Sequence, residues 1–134
     1  MVEFAIVVPL LFVLIFGLII GGLGVSRYQR VALVAREASR WASVHGAQYA
    51  FETGNAAATA SDIYAQAIVP KAIGLDLSKL SYTVTWNTDN KQYHTVGASK
   101  VANTVSVAVS YQWIPEGYVP QKTMTSTSVS VMSF

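Results

Sequence analysis

The chain opens with an apolar run over residues 4–25, which only Pro9 and a few glycines interrupt. About 22 residues at a rise of about 1.5 Å each make a helix of roughly 33 Å, long enough to cross a hydrocarbon core of about 30 Å. Glu3 precedes the run, and the first basic residue is Arg27. The run therefore predicts a helix that is covered by lipid or by other apolar helices.

A signal peptide and a buried core helix both fit this segment less well. A secretory signal peptide would have a basic start, an apolar stretch of about 7 to 15 residues and a small-residue cleavage site. A buried core helix would need a domain that encloses a helix apolar on every face. The remaining chain of roughly 110 residues has room for only one small globular unit, so we predict one head on one stalk.

Composition excludes several classes of function. The formal charge of +2 comes from scattered residues without a long basic run, so we expect no nucleic-acid partner. The chain has no cysteine, which excludes disulfides and thiolate metal sites. It also lacks a nucleophile-elbow motif, a glycine-rich phosphate loop and a His-x-x-x-His pair. We therefore predict no enzyme, with no catalytic residue, metal or cofactor.

Three polar residues are expected to have structural roles. We expect His45 to be a solvated residue at a helix end, and His94 stands on a different element without a partner motif. Asp89 could contact calcium, but a turn over residues 87–90 needs such residues in any case. None of these side chains predicts a reaction.

The helix is predicted to continue past the apolar run as an amphipathic segment. Apolar residues recur at spacings of three and four while charged residues take the other faces. The stripe consists of Val31, Val34, Ala35, Ala38, Trp41 and Ala42. Glu37 is expected to form a weak surface pair with Arg40, and Trp41 with Tyr49 to anchor the head to the stalk.

A short second helix is predicted after a linker over residues 52–60. Thr59 or Ser61 would cap it near Asp62, and Pro70 would end or kink it before Gly74 closes the segment. Its buried face would consist of Ile63, Ala67 and Ile68.

From residue 80 onward the pattern alternates with a period of two, which predicts strands. The clearest strand covers residues 105–113 and would end at Pro115, Gly117 and Pro120. The other strands are expected over residues 80–86 and 124–134, with a weaker one over 92–96.

The predicted fold class is α+β. A long N-terminal apolar α-helix continues as an amphipathic helix, and a short second helix precedes a small antiparallel β-sheet of three to four strands with one face covered by helix. We divide the chain into a transmembrane or filament-core helix over residues 1–26, an amphipathic helix extension over 27–51 and a head over 52–134.

The start of the chain resembles a known family. Residues 2–11 read Val-Glu-Phe-Ala-Ile-Val-Val-Pro-Leu-Leu, which is similar to the Val-Glu-Phe-Ala-x-x-x-Pro-Leu-Leu opening of TadE-like proteins, pilins and pseudopilins of tight-adherence (Tad) pilus systems. Phe16 and Gly17 extend the similarity. Residues 35–44 resemble the family's Ala-Arg-Glu-Gly-Ala-Arg-Tyr-Ala-Ala-Val stretch, and residues 105–111 resemble its late Val-x-Val-x-Val-x-Tyr strand.

The resemblance implies a structural subunit of a type IV (Tad-like) pilus that assembles with copies of itself into an extracellular filament for surface adhesion. The alternative is a minor pseudopilin or a membrane-bound component of pilus assembly or secretion. Implied partners are the prepilin peptidase and the inner-membrane assembly machinery. The implied location is the inner membrane before assembly and then the bacterial cell surface. A single-span sensor with a binding head is a third class, which would need a ligand pocket.

Two features depart from the family's pattern. Family precursors are cut after a short basic leader, with glutamate at the fifth mature position, whereas only Met1 and Val2 precede Glu3 here. The leader is therefore missing, or lies before Met1, or is processed differently. The arginines of residues 27–40 lie on the head side, so the positive-inside rule opposes the family's orientation, which places the head outside.

The residues that would mediate assembly lie in the apolar run and just before it. Glu3 would either complement the helix dipole or pair with a cation such as a neighbouring subunit's terminal amine. Gly21, Gly22 and Gly24 would permit close helix packing or local unwinding. The expected assembly residues are Glu3, Phe4, Pro9, Leu10, Phe12, Phe16, Gly17, Gly21 and Gly22. The expected stalk-head or subunit contacts are Arg36, Glu37, Arg40 and Trp41.

Overall fold

A computed structural model describes residues 2–115 and 120–134, with the side chains of residues 2 and 3 outside the description. Helix α1 spans Val2–Val44, which confirms the predicted long N-terminal helix. Pro9 lies inside α1 without ending it. The predicted role of Gly117 as a strand terminator lies outside the described residues.

The predicted continuation of this helix to residue 51 is wrong. Helix α1 ends at Val44, and a separate helix α2 covers Ala47–Thr53. At the break, the Gly46 N–H donates to the Phe134 carbonyl at 3.1 Å, and the Ala47 N–H donates to the Asn90 carbonyl at 2.8 Å. Because these backbone groups bond to distant parts of the chain, they cannot bond within a continuous helix.

Helix α3 spans Ala60–Ile63 and begins at the predicted cap. The backbone N–H and hydroxyl of Thr59 donate to the Asp62 carboxylate, and the Asp62 N–H donates to the Thr59 hydroxyl. This reciprocal capping box satisfies backbone groups that would otherwise lack partners at the helix start. The same hydrogen bonds from the Thr59 side chain and backbone hold the pKa of Asp62 below its ordinary value.

The chain after α3 remains helical but changes its winding. A π-helical segment covers Tyr64–Ile68, and a 3₁₀ turn with Pro70 covers Val69–Lys71. Gly74 then adopts a φ of 79°, a left-handed conformation that suits glycine. The predicted buried face is confirmed, with Ile63, Ala67 and Ile68 in the core.

Within the described part of the chain, five strands follow a 3₁₀ turn at Leu77–Lys79. They are β1 Leu80–Trp86, β2 Tyr93–Val96, β3 Ser99–Ala102, β4 Thr104–Trp113 and β5 Lys122–Val131. Strands β1, β4 and β5 form an antiparallel sheet in the order β1-β4-β5, and β2 and β3 form a separate hairpin. The predicted α+β class is therefore confirmed, whereas β3 was not predicted.

The core lies between α1 and the three-stranded sheet. Helix α1 packs on β4 and β5, and the α3 region closes the remaining side. The small and apolar stripe of α1 supplies one wall, and alternate residues of β4 supply the other. The fully buried apolar residues of these two elements are Val31, Val34, Ala35, Ala38, Val105, Val107 and Val109.

Serine side chains form a large part of the contact between α1 and β5. Ser39 is fully buried, and its hydroxyl lies 2.9 Å from that of Ser128 and 3.0 Å from that of Ser130. Val129 and Val131 take the opposite face of β5 and are exposed. The small hydroxyl side chains let the helix approach the strand closely while each polar group keeps a partner.

Candidate assembly and membrane surface

The N-terminal half of α1 projects from the head with its apolar side chains uncovered. Along residues 4–25 the large apolar side chains are exposed, from 41% for Ile15 to 77% for Phe4, apart from the half-buried Val8 and Ile20. Among the described residues α1 is the helix long and apolar enough to cross a membrane, with a mean hydropathy of 3.0 in its most apolar window. Lipid or other protein must cover this surface.

Several predicted assembly residues lie on this segment. Phe4 and Leu10 are exposed, and the rings of Phe12 and Phe16 stack with centroids 6.2 Å apart. Pro9 has no N–H to donate within the helix, so one carbonyl of the preceding turn lacks its usual partner. Membrane helices tolerate such a proline where neighbouring helices or water satisfy that carbonyl.

Three of the predicted glycines have open space around them, whereas the fourth, Gly24, lies against Trp113. A Cβ atom placed on Gly17, Gly21 or Gly22 would meet nothing within 4 Å. No contact within the described part of the chain therefore requires glycine at these three positions. The side chain of Glu3 lies outside the described residues, so its pairing stays a prediction.

The predicted contact residues further along α1 occupy different environments. Arg36 and Arg40 are exposed, and Glu37 is half-buried. The expected Glu37–Arg40 pair is wrong, because the ion pairs within residues 2–115 and 120–134 are Lys79–Asp76 and Lys91–Asp89. An exposed pair of this kind contributes too little to hold two long side chains in one geometry. Trp41 packs against the core, in agreement with its expected anchoring role.

Comparison with known families selects this same part of the chain. Residues 1–40 match the TadE-like protein family. The match covers the exposed apolar segment and most of the amphipathic part of α1, and it ends four residues before the helix does. Searches of curated proteins and of solved structures gave no match.

The head beyond the TadE-like segment carries an aromatic stack. The rings of Trp41 and His45 lie 3.9 Å apart at 11°, and Tyr49 follows at 4.6 Å. His45 is half-buried rather than solvated as predicted, because its ring packs between those of Trp41 and Tyr49. Its Nδ1 donates to the Trp41 carbonyl at 2.8 Å. A groove of about 290 Å³ lies beside this stack. The acid in its lining, Asp62, already serves the capping box.

Asp89 also has a structural role. Its carboxylate accepts a hydrogen bond from the Asn103 side chain at 2.7 Å and from the Lys91 N–H at 3.2 Å. These bonds fix the turn before the β2–β3 hairpin. No group of three acidic or histidine side chains suited to a metal ion occurs among the described residues.

Sequence reasoning missed the contacts that fix the head on the TadE-like segment. The Trp113 indole lies against Gly24, where an added Cβ would come within 2.8 Å of the ring. The Arg30 guanidinium donates to the Ile73 carbonyl at 2.7 Å, and Arg27 Nη1 lies 3.5 Å from the Tyr111 hydroxyl. These partners are separated by 43 residues or more, so neither periodicity nor motif spacing could have paired them.

Proposed function

We propose that this protein is a structural subunit of a type IV, Tad-like pilus, which assembles through its apolar N-terminal helix into an extracellular filament for surface adhesion. The observation that carries this proposal is the exposed apolar N-terminal half of α1. The same helix continues without a break into the part that packs against the head. The match to TadE-like proteins over residues 1–40 supports the same assignment.

The chemistry of the segment fits extraction from lipid into a bundle of helices. Lipid tails cover apolar side chains as well as another helix does, so assembly needs close packing and polar contacts in addition to hydrophobicity. The uncrowded glycines Gly17, Gly21 and Gly22 permit close approach of a neighbouring helix. Glu3 would supply the polar contact if it pairs with a cation of the adjacent subunit.

The outer face of the three-stranded sheet fits repeated contacts between heads. Its residues alternate with the buried ones and come from β1, β4 and β5. The residues on this face are serine, threonine, alanine, glutamine and valine, and none of those described there is charged. Thr83 and Ala108 lie in the middle of the face, and Val131 lies at one end. Identical copies would meet there without charge repulsion.

The second candidate is a minor pseudopilin or a membrane-bound assembly or secretion component. A head of this size, attached to the same kind of anchor, is compatible with either role. The two candidates differ in where the protein is found and in how many copies each filament contains.

Labelling of sheared filaments separates these candidates. Filaments are sheared from cells and imaged with gold-labelled antibody against the head. Continuous label along the shaft supports the filament subunit. Label only at tips, or protein retained in the membrane fraction, refutes that role and supports the minor or assembly component.

Substitution of Glu3 tests the assembly contact. Glu3→Ala should leave the protein in the membrane fraction but prevent its incorporation, because the helix would lose its polar partner in the bundle. Glu52→Ala is the matched control, since Glu52 is an exposed acid on α2, away from the apolar segment. Normal filaments with Glu3→Ala would refute the contact.

A further inference from the structure

The part of the head that lies beside residues 24–30 of α1 is here termed the proximal end. Its position follows from the Trp113–Gly24 and Arg30–Ile73 contacts and from the Tyr111 hydroxyl, which lies 3.5 Å from both Arg27 Nη1 and the Asp76 nitrogen. The proximal end consists of Ile73, Asp76, Lys79, Trp113, Ile114 and Lys122.

The proximal end stands where the apolar run of α1 stops. Trp113 lies against Gly24, and the last residue of the run is Val25. At about 1.5 Å per residue, Arg27 is about 4.5 Å and Arg30 about 9 Å further along the helix axis than Gly24. If residues 4–25 fill the hydrocarbon core, the polar interfacial layer of about 5 to 7 Å contains Arg27 and ends near Arg30.

The uncovered side chains of the proximal end suit that layer. Ile114 is 55% exposed and follows the half-buried Trp113, and tryptophan is enriched at membrane interfaces. Trp113 and Ile114 also face the C-terminal part of the apolar run of α1, and together they line a groove of about 340 Å³. Helix residues of the groove include Phe16, Ile20 and Leu23. Exposed apolar surface of the head is thus continuous with that of the helix.

The charges of the proximal end and of the helix beside it are mostly positive. Among the described residues, Arg27, Arg30, Lys79 and Lys122 contribute four cations, against the carboxylate of Asp76, which lies 3.7 Å from Lys79. Lys122 is opposite Trp113 in the β4–β5 register and lines a second groove with Gly24 and Val25. Cations beside an apolar surface at this depth complement the phosphates of anionic lipids.

We propose that the proximal end is a lipid-binding surface that rests on the bilayer, with Trp113 and Ile114 in the interfacial layer and Arg27 and Lys122 against anionic headgroups. This inference rests on the membrane-anchored state in the proposed function. It describes the subunit before assembly, when lipid and not another copy surrounds α1. The surface would set the height and tilt at which each head stands when the assembly machinery receives it.

The absence of cysteine allows this placement to be measured with single nitroxide labels. The full chain is reconstituted at low density into phosphatidylcholine vesicles with and without phosphatidylglycerol. Ile114→Cys reports on the proximal end, and Val96→Cys is its control, with 57% exposure in the β2–β3 hairpin at the other end of the head. Phe12→Cys reports whether α1 is in the membrane. Accessibility to oxygen and to a water-soluble nickel complex locates each label.

We expect the label at position 114 to be several-fold more accessible to oxygen relative to nickel than the label at position 96. A label at position 114 in water while the label at position 12 is in lipid would overturn the inference and leave the anchor intact. A label at position 12 in water would overturn both this inference and the anchored state. Protection of position 114 from both reagents would overturn the inference in favour of a second copy as the occupant.

Lipid selectivity tests the role of charge. Spin-labelled phosphatidylglycerol should associate with the protein in preference to spin-labelled phosphatidylcholine. Lys122→Glu should reduce that preference by about fivefold or more, because it removes one basic residue close to an anionic surface and adds a repelling charge. Lys100→Glu, on the exposed hairpin strand β3, should leave it unchanged. Equal preferences in the two variants would overturn the assignment of Lys122 to headgroups.

Discussion

Removal of the buried Ser39 hydroxyl should loosen the head from the stalk. Ser39 is fully buried, and its hydroxyl contacts those of Ser128 and Ser130 at 2.9 and 3.0 Å. Ser39→Ala deletes both contacts, together with the hydrogen bond that the same hydroxyl donates to the Arg36 carbonyl within α1, and leaves two half-buried hydroxyl groups without this partner. At about 1 kcal/mol for each hydrogen bond to β5, the free energy of unfolding should fall by about 2 kcal/mol.

The effect can be measured as a shift in the melting temperature of the full chain in detergent micelles, followed by near-ultraviolet circular dichroism. For a domain of about 60 to 100 residues, about 1 kcal/mol corresponds to roughly 4 to 8 °C, so Ser39→Ala should lower the midpoint by roughly 8 to 16 °C. Ser81→Ala is the control, because Ser81 is exposed on the outer face of β1 and should change stability by less than about 0.5 kcal/mol.

A mutant cycle separates this hydrogen-bonded cluster from simple loss of packing. The Ser128→Ala/Ser130→Ala variant should also lose about 2 kcal/mol, but adding Ser39→Ala to it should cost only about 1 kcal/mol or less, because the Ser39 hydroxyl then has only its hydrogen bond to the Arg36 carbonyl left to lose. Additive losses in the triple variant would refute the idea that the three serines act as one unit. A shift of under about 2 °C for Ser39→Ala would refute the estimate itself.

Two further changes test the head away from this junction. Gly46→Ala should destabilise the head by about 1 to 3 kcal/mol, because the new Cβ would contact the Phe134 carbonyl and approach Met132 Cε to 2.7 Å. An unchanged melting temperature would contradict this prediction. Thr59→Ala should raise the pKa of Asp62 toward its ordinary value, as an NMR titration would show, since Thr59 hydrogen bonds lower it. Because that pKa is depressed, the stability from Asp62 is present above its unfolded-state pKa and is lost as the pH falls through the folded-state value; a titration identical to wild type would contradict the assignment.

The elements that could be predicted are those with a local signal. The apolar run predicted the long helix, because length and uniform composition suffice for it. Strict alternation identified β1 and β4, and Thr59 was one of the two residues expected to cap α3. In each case the residues that decide the structure lie within a few positions of one another.

The elements that were mispredicted depend on distant partners. The end of α1 at Val44 follows from bonds to Phe134 and Asn90, which are remote in sequence. Strand β3 was missed because it is short and mostly exposed, so it shows no alternation. Its pairing with β2 depends on a turn in which Gly97 adopts a φ of 61°.

In the candidate site, too, some features could be predicted from local sequence and others depend on distant partners. The exposure of Phe4 and its neighbours could be anticipated, since a small head cannot cover a helix that is apolar on all sides. The contact of Trp113 with Gly24 could not, because glycine in an apolar run can serve several purposes and only the folded head selects one. The predicted pairing of Glu3 involves a second subunit, so it stays a prediction.

The position of the head along α1 divides the helix into an exposed apolar part and a part that contributes to the core of the head. Up to Gly24 the helix keeps an uncovered apolar surface, and from Val31 to Ala42 it buries a stripe in the head. Displacing the head one helical turn, about 5.4 Å, toward the N-terminus would cover apolar side chains that are exposed in this structure. The opposite displacement would expose Val31 to water. The Trp113–Gly24 contact lies at this boundary. It therefore positions the head at the point where the composition of the helix changes.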